Sequence, residues 1–365
     1  MPDLTTTLVA GADALESTAA LWRRLEAAED PPPFRTHGWA RAWLTHLGAG
    51  AEPWLLLCGE PATGLLPLVL RRTHGARVLS LLGHGISDYL GPLGAAGEPA
   101  WLEALGRRLR GESRRFDLVD LLSLRASPAQ RTALARGLGG AANERVYERC
   151  PLVRIETSWE EYLKTRSSNQ RKNVKRLGRR VGAQGDVAIA CETATPELFD
   201  ALIEVERASW KWEHGLSSLR DPRRRAFLRE LLLGGGVRHE LWTCRVGAAL
   251  GAFAIVLLGG RTRYYYLASF RQDVSRVGNL LLLELLRDSF GAKLEAFDFL
   301  QGDEPYKFEW ANAEHEVHQL VAAGGGWLAA PALAAVRVRW WIARSERLRR
   351  LRTRLLPKLR REAAE

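Results

Sequence analysis

Apolar residues in the first half of the chain form short runs that are separated by glycine- or proline-containing breaks. Helices are predicted around Trp22, over Trp39–Leu47 and near Trp101–Arg110, where the apolar positions recur at helical spacing. Five shorter runs have the length and composition of strands: Leu4–Val9, Trp54–Cys58, Leu65–Arg71, Val78–Leu82 and Asp117–Leu122. The pattern predicts one compact unit that mixes strands and helices.

The second half repeats this mixture of elements without a visible sequence repeat. Four helical segments come first: Trp159–Thr165, Asn169–Val181, Pro196–Trp212 and Pro222–Leu233. Three strands then follow one another through glycine-containing turns: Glu240–Arg245, Leu250–Leu258 and Arg263–Ser269. A leucine-rich helix over Gly278–Phe290 and a strand over Ala296–Leu300 complete the series.

Length and composition favour a globular protein of two domains. The chain has 365 residues, of which 46% are hydrophobic and 26% are charged. Residues 1–16 have neither a basic segment nor a long apolar core, so we expect no signal peptide. The uncharged stretch from Gln319 to Val336 is rich in alanine and contains Pro331, so we interpret it as a strand and linker rather than a membrane span. The four scattered cysteines predict reduced thiols, not a metal site.

The net charge of +11 is concentrated in two places. Residues 327–365 carry eleven Arg or Lys against three Glu, interleaved with Trp340, Trp341 and several leucines. This tail is typical of a basic amphipathic helix that lies on an anionic membrane, although nucleic acid would also accept it. A second basic run, Lys164–Arg180, holds no acid. Its helix either exposes a solvated basic face or binds an anion, such as the 3′-phosphate of coenzyme A or a phosphorylated acceptor.

A candidate anion site lies where the leucine-rich helix begins. Backbone N–H groups at a helix start are free to bind an anion, and a glycine lets a phosphate approach the backbone. Arg276 would add charge-assisted hydrogen bonds. This arrangement suits the pyrophosphate of coenzyme A, although a strand–loop–helix with one glycine is also common in structures without a ligand. The residues assigned to it are Arg276, Gly278, Asn279 and Leu280.

A sharper signal lies in residues 297–310, where an apolar strand carries the single acid Asp298. Gly302 ends the strand, and Glu304, Tyr306 and Lys307 follow it closely. A buried carboxylate is costly unless it is paired, so a structural ion pair between Asp298 and Lys307 or an arginine is the alternative. The clustering of acids with a tyrosine and a lysine indicates a catalytic group.

This segment resembles the FemAB-like branch of the GNAT acyltransferases, which includes CelD-type proteins of cellulose biosynthesis. In that family an aromatic strand, a glycine, an acid and a Tyr-Lys pair close the acyl-donor site. Other segments resemble the family in the same order: 33–43, 64–67, 87–89 and 162–171. The resemblance spans roughly residues 20–320. Of the wider superfamily's pyrophosphate motif, Q/R-x-x-G-x-G/A, only Gly278 matches cleanly.

The resemblance implies an α+β fold with two GNAT-like domains in tandem, each a mixed sheet flanked by helices. We predict an N-terminal domain over residues 1–149, an acyl-donor domain over 150–326 and the basic amphipathic tail over 327–365. Acyl-CoA is expected as a co-substrate, with no tightly bound cofactor and no metal. The donor is a long-chain acyl-CoA, acetyl-CoA or, as in FemAB relatives, an aminoacyl-tRNA.

The expected chemistry is attack of an amine on a thioester. We assign Glu304 as the base with Asp298 orienting it, Lys307 or strand Tyr264–Ser269 as the oxyanion donor, and Tyr306 as the acid for the thiolate. Gly302 is assigned to the donor site. The assigned substrate contacts are Asp88, Tyr89, Arg171 and Trp310.

These assignments predict an acyl-CoA-dependent N-acyltransferase that works on a membrane-associated amine at the cytoplasmic face of the inner membrane. Within the family, bacterial ceramide synthases, which acylate a long-chain sphingoid base, fit this description. A FemAB-type transferase that uses aminoacyl-tRNA and a polysaccharide O-acetyltransferase are the alternative enzymes. A nucleic-acid-binding protein is the alternative without catalysis, but the acidic cluster argues against it, so we expect no nucleic-acid partner.

Overall fold

The computed structural model describes residues 4–140 and 142–344. The strands are β1 (Thr6–Ala10), β2 (Glu52–Cys58), β3 (Gly64–Thr73), β4 (Ala76–Leu81), β5 (Leu93–Gly94), β6 (Leu118–Leu124), β7 (Asn143–Arg154), β8 (Val187–Glu192), β9 (His239–Val246), β10 (Ala249–Gly259), β11 (Thr262–Phe270), β12 (Ala296–Asp298) and β13 (Ala313–Ala323). The helices are α1 (Ala14–Ser17), α2 (Ala19–Glu29), α3 (His37–His46), α4 (Pro99–Gly111), α5 (Pro128–Gly137), α6 (Trp159–Lys164), α7 (Ser168–Gly182), α8 (Pro196–Arg207), α9 (Trp210–Glu213), α10 (Pro222–Leu233), α11 (Val277–Gly291), α12 (Pro305–Trp310) and α13 (Ala329–Arg344).

One mixed sheet runs through both halves of the chain, in the order β1-β2-β3-β4-β6-β13-β7-β12-β11-β10-β9-β8, with β5 paired to β3. Strand β13 joins the halves, because it pairs antiparallel with β6 on one side and with β7 on the other. The pairs β4–β6 and β11–β12 are parallel. Residues far apart in sequence are therefore brought together at the middle of this sheet.

Helices cover both faces of the sheet. Along β10, Phe253, Ile255 and Leu257 belong to one apolar cluster, whereas Ala252, Ala254 and Val256 belong to the other. This alternation is expected of a strand that is buried on both sides. The first cluster also takes side chains from α2, α3, α4, α8 and α10, and the second takes them from α6, α7 and α11.

The predicted α+β class and the mixed sheet flanked by helices are confirmed. The three strands and the helix at the heart of the second half form within a few residues of their predicted bounds. The predicted strand over 296–300 ends at Asp298, because Leu300 takes a φ of 62°. The division into domains at 149, 150 and 326 stays a prediction, and its first boundary falls inside β7.

The start of the predicted tail packs against the protein. The stretch interpreted as a strand and linker contains the start of α13, whose Val336 is buried with Val78, Leu118 and Val321. Trp340 packs against the same cluster, and its Nε1–H donates to Gln319 Oε1 at 2.9 Å. The leucines and arginines of the tail beyond residue 344 lie outside the described residues. None of the described helices is both long enough and apolar enough to cross a membrane.

Candidate active site

The sheet opens between β11 and β12. The two strands pair over only three positions, Thr262 with Ala296, Arg263 with Phe297 and Tyr264 with Asp298. Strand β12 then ends, while β11 continues to Phe270. Beyond Tyr264, this edge of β11 has no strand partner among the described residues. A polar chain placed in the opening would therefore find unpaired backbone groups along one side.

Helix α11 begins beyond the far end of β11. Leu280 N–H donates to the Arg276 carbonyl at 3.1 Å, so the three preceding N–H groups are left without helical acceptors. Arg276 and Asn279 are exposed at this end. Leu280, in contrast, has its side chain buried in the core and its N–H already bonded.

Gly278 is required for a reason other than the predicted approach of a phosphate. A Cβ at this position would lie 2.6 Å from the Phe270 ring. A glycine therefore allows α11 to pack closely on the end of β11. The predicted role of Gly278 in binding the donor stays a prediction.

The basic helix α7 ends beside this helix start. Gln184, just past α7, accepts from Ser275 N–H at 2.9 Å and donates to the Ser275 carbonyl at 3.0 Å. The exposed face of α7 carries basic side chains that form no ion pair within the described part of the chain: Arg171, Lys172, Lys175, Arg176, Arg179 and Arg180. An anion at the start of α11 would thus lie close to the last of these charges.

Two carboxyl groups lie on the other arm of the opening, that of Asp298, which is buried, and that of Asp88, which is half-buried. Asp298 Oδ1 accepts from Tyr89 O–H at 2.8 Å and from Leu300 N–H at 2.7 Å. Asp88 Oδ1 accepts from Gln301 N–H at 3.2 Å. The Gln301 side chain donates to the Asp88 carbonyl and to Ser123 Oγ. Gln301 therefore ties the end of β12 to the Asp88–Tyr89 segment of the first half.

Lys307 completes this group from the start of α12. Its side chain is 7% exposed, and its Nζ donates to the Gln301 carbonyl at 2.6 Å and to Glu304 Oε2 at 2.9 Å. Gly302 makes room for this contact, because it has a φ of 125° and a Cβ there would lie 2.8 Å from Lys307 Nζ. An ammonium has three N–H donors, so Lys307 retains one beyond these two contacts.

The pKa values of Asp88 and Asp298 are both raised toward neutral pH. Burial raises the pKa of Asp88 to about 7, although the hydrogen bond from Gln301 opposes the shift. Burial likewise raises the pKa of Asp298 to about 6, against the hydrogen bonds from Tyr89 and Leu300. No described residue hydrogen-bonds the second oxygen of Asp88. Asp88 therefore meets the requirement for a general base whose pKa lies near the working pH.

A cavity of about 180 Å³ lies beside the open edge of β11, lined largely by apolar side chains that include Ile86, Phe227, Tyr266 and Leu267. Ile86 is two residues before Asp88, and the charge of Asp88 raises the pKa of Tyr266, whose burial is the larger cause. The cavity is therefore near the candidate base, although Asp88 does not itself line it.

The structure brings together six of the residues that the sequence singled out: Asp88, Tyr89, Asp298, Gly302, Glu304 and Lys307. Tyr306 lies near them, 40% exposed, with its ring against Phe299. Trp310 lies apart, stacked on Trp159, and Arg171 lies on α7. Sequence reasoning missed Gln301 and Ser123. The available signal for Gln301 was a polar residue between a buried strand end and a glycine.

Residues 168–308 match the family model described as an acetyltransferase (GNAT) domain. This segment is therefore similar to a GNAT acetyltransferase domain. The candidate residues from Arg171 to Lys307 lie inside the matched segment, whereas Asp88, Tyr89 and Trp310 lie outside it. The predicted enzyme class, an acyltransferase, is confirmed by this GNAT domain. A comparison of the sequence with curated proteins finds no match.

The fold around the GNAT domain is similar to that of solved structures over most of the chain. FemX has a TM-score of 0.61 at 11% identity, with 82% of this chain and 95% of FemX covered. The C-terminal domain of a putative lysylphosphatidylglycerol synthetase from Agrobacterium fabrum has a TM-score of 0.57 at 13% identity, covering 88% and 95%. L-PGS from Bacillus licheniformis has a TM-score of 0.55 at 11% identity, covering 87% and 96%. The resemblance to the GNAT superfamily is confirmed, and these folds are consistent with its FemAB-like branch.

Proposed function

We propose that this protein transfers an acyl group from an acyl-CoA thioester to the amine of an acceptor at a membrane surface. One observation carries the proposal: the opening between β11 and β12 connects the free N–H groups of α11 with the cluster of Asp88, Gln301 and Lys307. The first end suits a pyrophosphate, because helix starts and nearby cations bind anions. The second end suits acyl transfer, because it combines a base and a hydrogen-bond donor.

The open edge of β11 fits the donor between these two ends. The pantetheine arm of coenzyme A contains amide groups, and an extended amide chain pairs with an exposed strand edge as an added strand would. Lys211 Nζ already donates to the Ala268 carbonyl on β11 at 3.1 Å. A donor bound along this edge would present its thioester between β11 and Lys307.

Each group of the cluster is assigned one role in the reaction. The acceptor ammonium loses a proton to Asp88, and the amine then forms a C–N bond with the thioester carbon. The remaining N–H of Lys307 stabilises the oxyanion. The C–S bond breaks as the nitrogen of the intermediate releases its second proton to water. The thiolate of coenzyme A is protonated, with Tyr306 as the assigned acid, and Tyr306 regains its proton from solvent. We assign Glu304 to holding Lys307, because its carboxylate is 56% exposed and already paired with that ammonium.

The surface near the C-terminus supports a membrane-associated acceptor. Trp327 is 85% exposed, Trp341 66% and Val338 54%, with Arg337 and Arg339 interspersed. Tryptophans beside basic residues are typical of proteins that lie in the membrane interface. The apolar cavity near Asp88 has room for the part of an alkyl chain next to the amine. A long-chain amine such as a sphingoid base is therefore our favoured acceptor.

A different donor is the second candidate function. The unpaired cations of α7 favour a polyanion, and aminoacyl-tRNA is the polyanionic donor considered for this branch. The same base and oxyanion donor would then transfer an aminoacyl group from an ester. Donor binding distinguishes the two candidates.

Acyl-CoA is expected to raise the melting temperature of the protein, since a ligand at a hundred times its Kd stabilises the native state by about 2.7 kcal/mol. Arg276→Glu should greatly reduce this shift, because it places a negative charge at the start of α11. Arg287→Gln is the matched control on the same helix, where Arg287 is paired with Glu284. Release of free coenzyme A in the presence of a long-chain amine, with the amide product identified by mass spectrometry, measures the transfer itself. A melting curve that moves with aminoacyl-tRNA but with no acyl-CoA would favour the second candidate.

Exchanging the exposed tryptophans should weaken membrane binding. Trp327→Ser with Trp341→Ala is expected to reduce sedimentation with anionic liposomes, and high salt should loosen the wild-type protein. Trp210→Ser is the control, because Trp210 on α9 is also exposed, at 41%. Point variants are preferable to truncation before α13, which would uncover Val78 and Leu118. Equal sedimentation of the double variant and the wild type would contradict the proposed surface.

A further inference from the structure

A second, larger cavity of about 610 Å³ lies at the opposite end of β11 from α11. Its lining includes Thr262, the first residue of β11, and Glu295, the residue before β12. Arg35 and Arg125 enter it from the first half of the chain, and Tyr264 and His315 enter it from the second. The acyl-transfer cluster does not use this cavity, because the sheet opens toward the other ends of the same two strands.

Two of the arginines that line the cavity have no carboxylate partner of their own among the described residues. Neither Arg35 nor Arg125 forms an ion pair in residues 4–140 and 142–344 of the structure. Two of the acids that line the cavity have basic partners, since Asp30 is bonded to Arg238 and Glu295 lies 3.7 Å from Arg261. Glu316 keeps its charge, because burial lowers the pKa of His318, which lies 3.9 Å from it. Burial lowers the pKa of Arg35, and the charge of Glu29 opposes this shift. The two guanidinium groups are close enough for the charge of Arg125 to lower the pKa of Arg35 as well.

The nearest buried carboxylate, Asp298, does not neutralise this pair directly. The Arg125 guanidinium lies 4.9 Å over the Tyr89 ring, and the hydroxyl of Tyr89 is the group that bonds to Asp298. His315 Nε2 is 3.8 Å from the second oxygen of Asp298. Tyr89 and His315 therefore stand between the arginines and this carboxylate.

Two polar atoms at the cavity are buried and have no hydrogen-bond partner in the described residues, Arg35 Nε and His315 Nε2. A buried donor without an acceptor costs about 1–3 kcal/mol. Arg35 is held in place by a bond from its Nη1 to the Pro92 carbonyl at 2.7 Å. Burial lowers the pKa of His315 to about 4, so its imidazole is neutral at physiological pH. Both arginines line the cavity, and their remaining N–H donors suit an acceptor-rich ligand.

We propose that this cavity binds a phosphorylated small molecule, whose phosphate is held by Arg35 and Arg125 apart from the acyl-CoA site. A phosphate monoester carries about −1.5 to −2 charge at neutral pH, which matches two guanidinium groups better than one carboxylate does. Guanidinium groups also bind phosphate oxygens in pairs. The volume exceeds that of a phosphate and lies in the range of pockets for small organic ligands. Gln130 and Tyr264 line the remaining space.

Calorimetric titration with inorganic phosphate and with pyrophosphate tests the site, with coenzyme A present at saturation so that the donor site is occupied. The wild type should bind at least one of the two probes, and Arg125→Gln and Arg35→Gln should each weaken binding at least about tenfold. Arg125→Lys retains the charge and should bind more tightly than Arg125→Gln. Arg261→Gln, at the rim and near Glu295, should stay within about threefold of the wild type.

The outcomes separate this site from the donor site. Binding that persists with coenzyme A and falls in the two Gln variants supports the proposal. No binding of either probe by the wild type overturns it, as does equal binding by the variants. Phosphate that binds only when coenzyme A is absent belongs to the donor site and also overturns it. Thermal melting confirms that the variants are folded, and if Arg35→Gln fails to fold, the Gln and Lys variants of Arg125 decide the question.

Discussion

Replacement of Asp88 by asparagine is expected to lower turnover at pH 8 by about a hundredfold or more, the usual loss when a general base is removed. Asparagine has nearly the same shape and keeps an oxygen for the Gln301 N–H, so the link between the two halves remains. The wild-type rate should rise with pH through about 7 as Asp88 loses its proton, since burial raises its pKa to that value. The variant should lack this rise.

Thermal stability provides the control for the Asp88 variant. A carboxyl group whose pKa is raised in the native state binds its proton more tightly there than in the unfolded chain. Its ionisation therefore reduces stability as the pH rises from the unfolded pKa toward about 7. Asp88→Asn has no such charge, so at pH 8 it should melt no lower than the wild type. A lower melting temperature together with lost activity would point to a structural role.

Glu304→Gln is the comparison that decides between the two carboxylates. The sequence favoured Glu304 as the base because it follows Gly302 closely and lies beside Tyr306 and Lys307. In the fold it pairs with Lys307, and more than half of its side chain is exposed. If Glu304 is the base, Glu304→Gln will lose more turnover than Asp88→Asn. The pH profile of Asp88→Asn will then resemble that of the wild type.

Strands β9, β10 and β11 were predictable because their runs are largely apolar and are separated by glycine-containing turns. Strands β7 and β8 were not predicted, because half of their positions or more are polar or exposed. Strand β7 draws its stability from pairing with β13 and β12, whose sequences lie more than 140 residues further along the chain. Sequence periodicity records the burial of side chains and carries little information about such pairing.

The residues of the candidate site were predictable where they lie close together in the sequence. Asp298, Gly302, Glu304 and Lys307 lie within ten residues, so an acid in an apolar strand was enough to indicate them. The contact that makes Asp88 a candidate base joins it to Gln301, 213 residues away, and depends on the insertion of β13 between the halves. The pKa of Asp88 follows from its burial, which no local pattern reveals.

The two glycines of the predicted donor site illustrate the same limit. Gly302 has a positive φ and leaves space for Lys307, so its importance follows from the turn that it forms. Gly278 has no such backbone requirement, and its missing Cβ makes room for Phe270. A sequence motif gives the position of a glycine. Only the packing in the structure identifies the neighbouring side chain for which the missing Cβ leaves room.

Replacement of Lys307 by methionine is expected to lower kcat by about a hundredfold or more, the scale of losing an oxyanion donor. Methionine fills similar space but donates no hydrogen bond. The KM for acyl-CoA should change little, because the pyrophosphate is proposed to bind at α11, away from this ammonium. Lys307→Arg retains a charge and donors, so it should retain more activity than Lys307→Met.

The pH profile of the residual activity distinguishes this role from a structural one. The positive charge of Lys307 lowers the pKa of Asp88, against the larger effect of burial. Its removal should raise that pKa, so the rate of Lys307→Met should begin to rise at a higher pH than in the wild type. The Gln301 carbonyl loses its donor in the variant, which costs about 1–3 kcal/mol of stability and lowers the melting temperature. A variant that melts lower but keeps the wild-type kcat and pH profile would place Lys307 in the framework of the turn and remove it from the reaction.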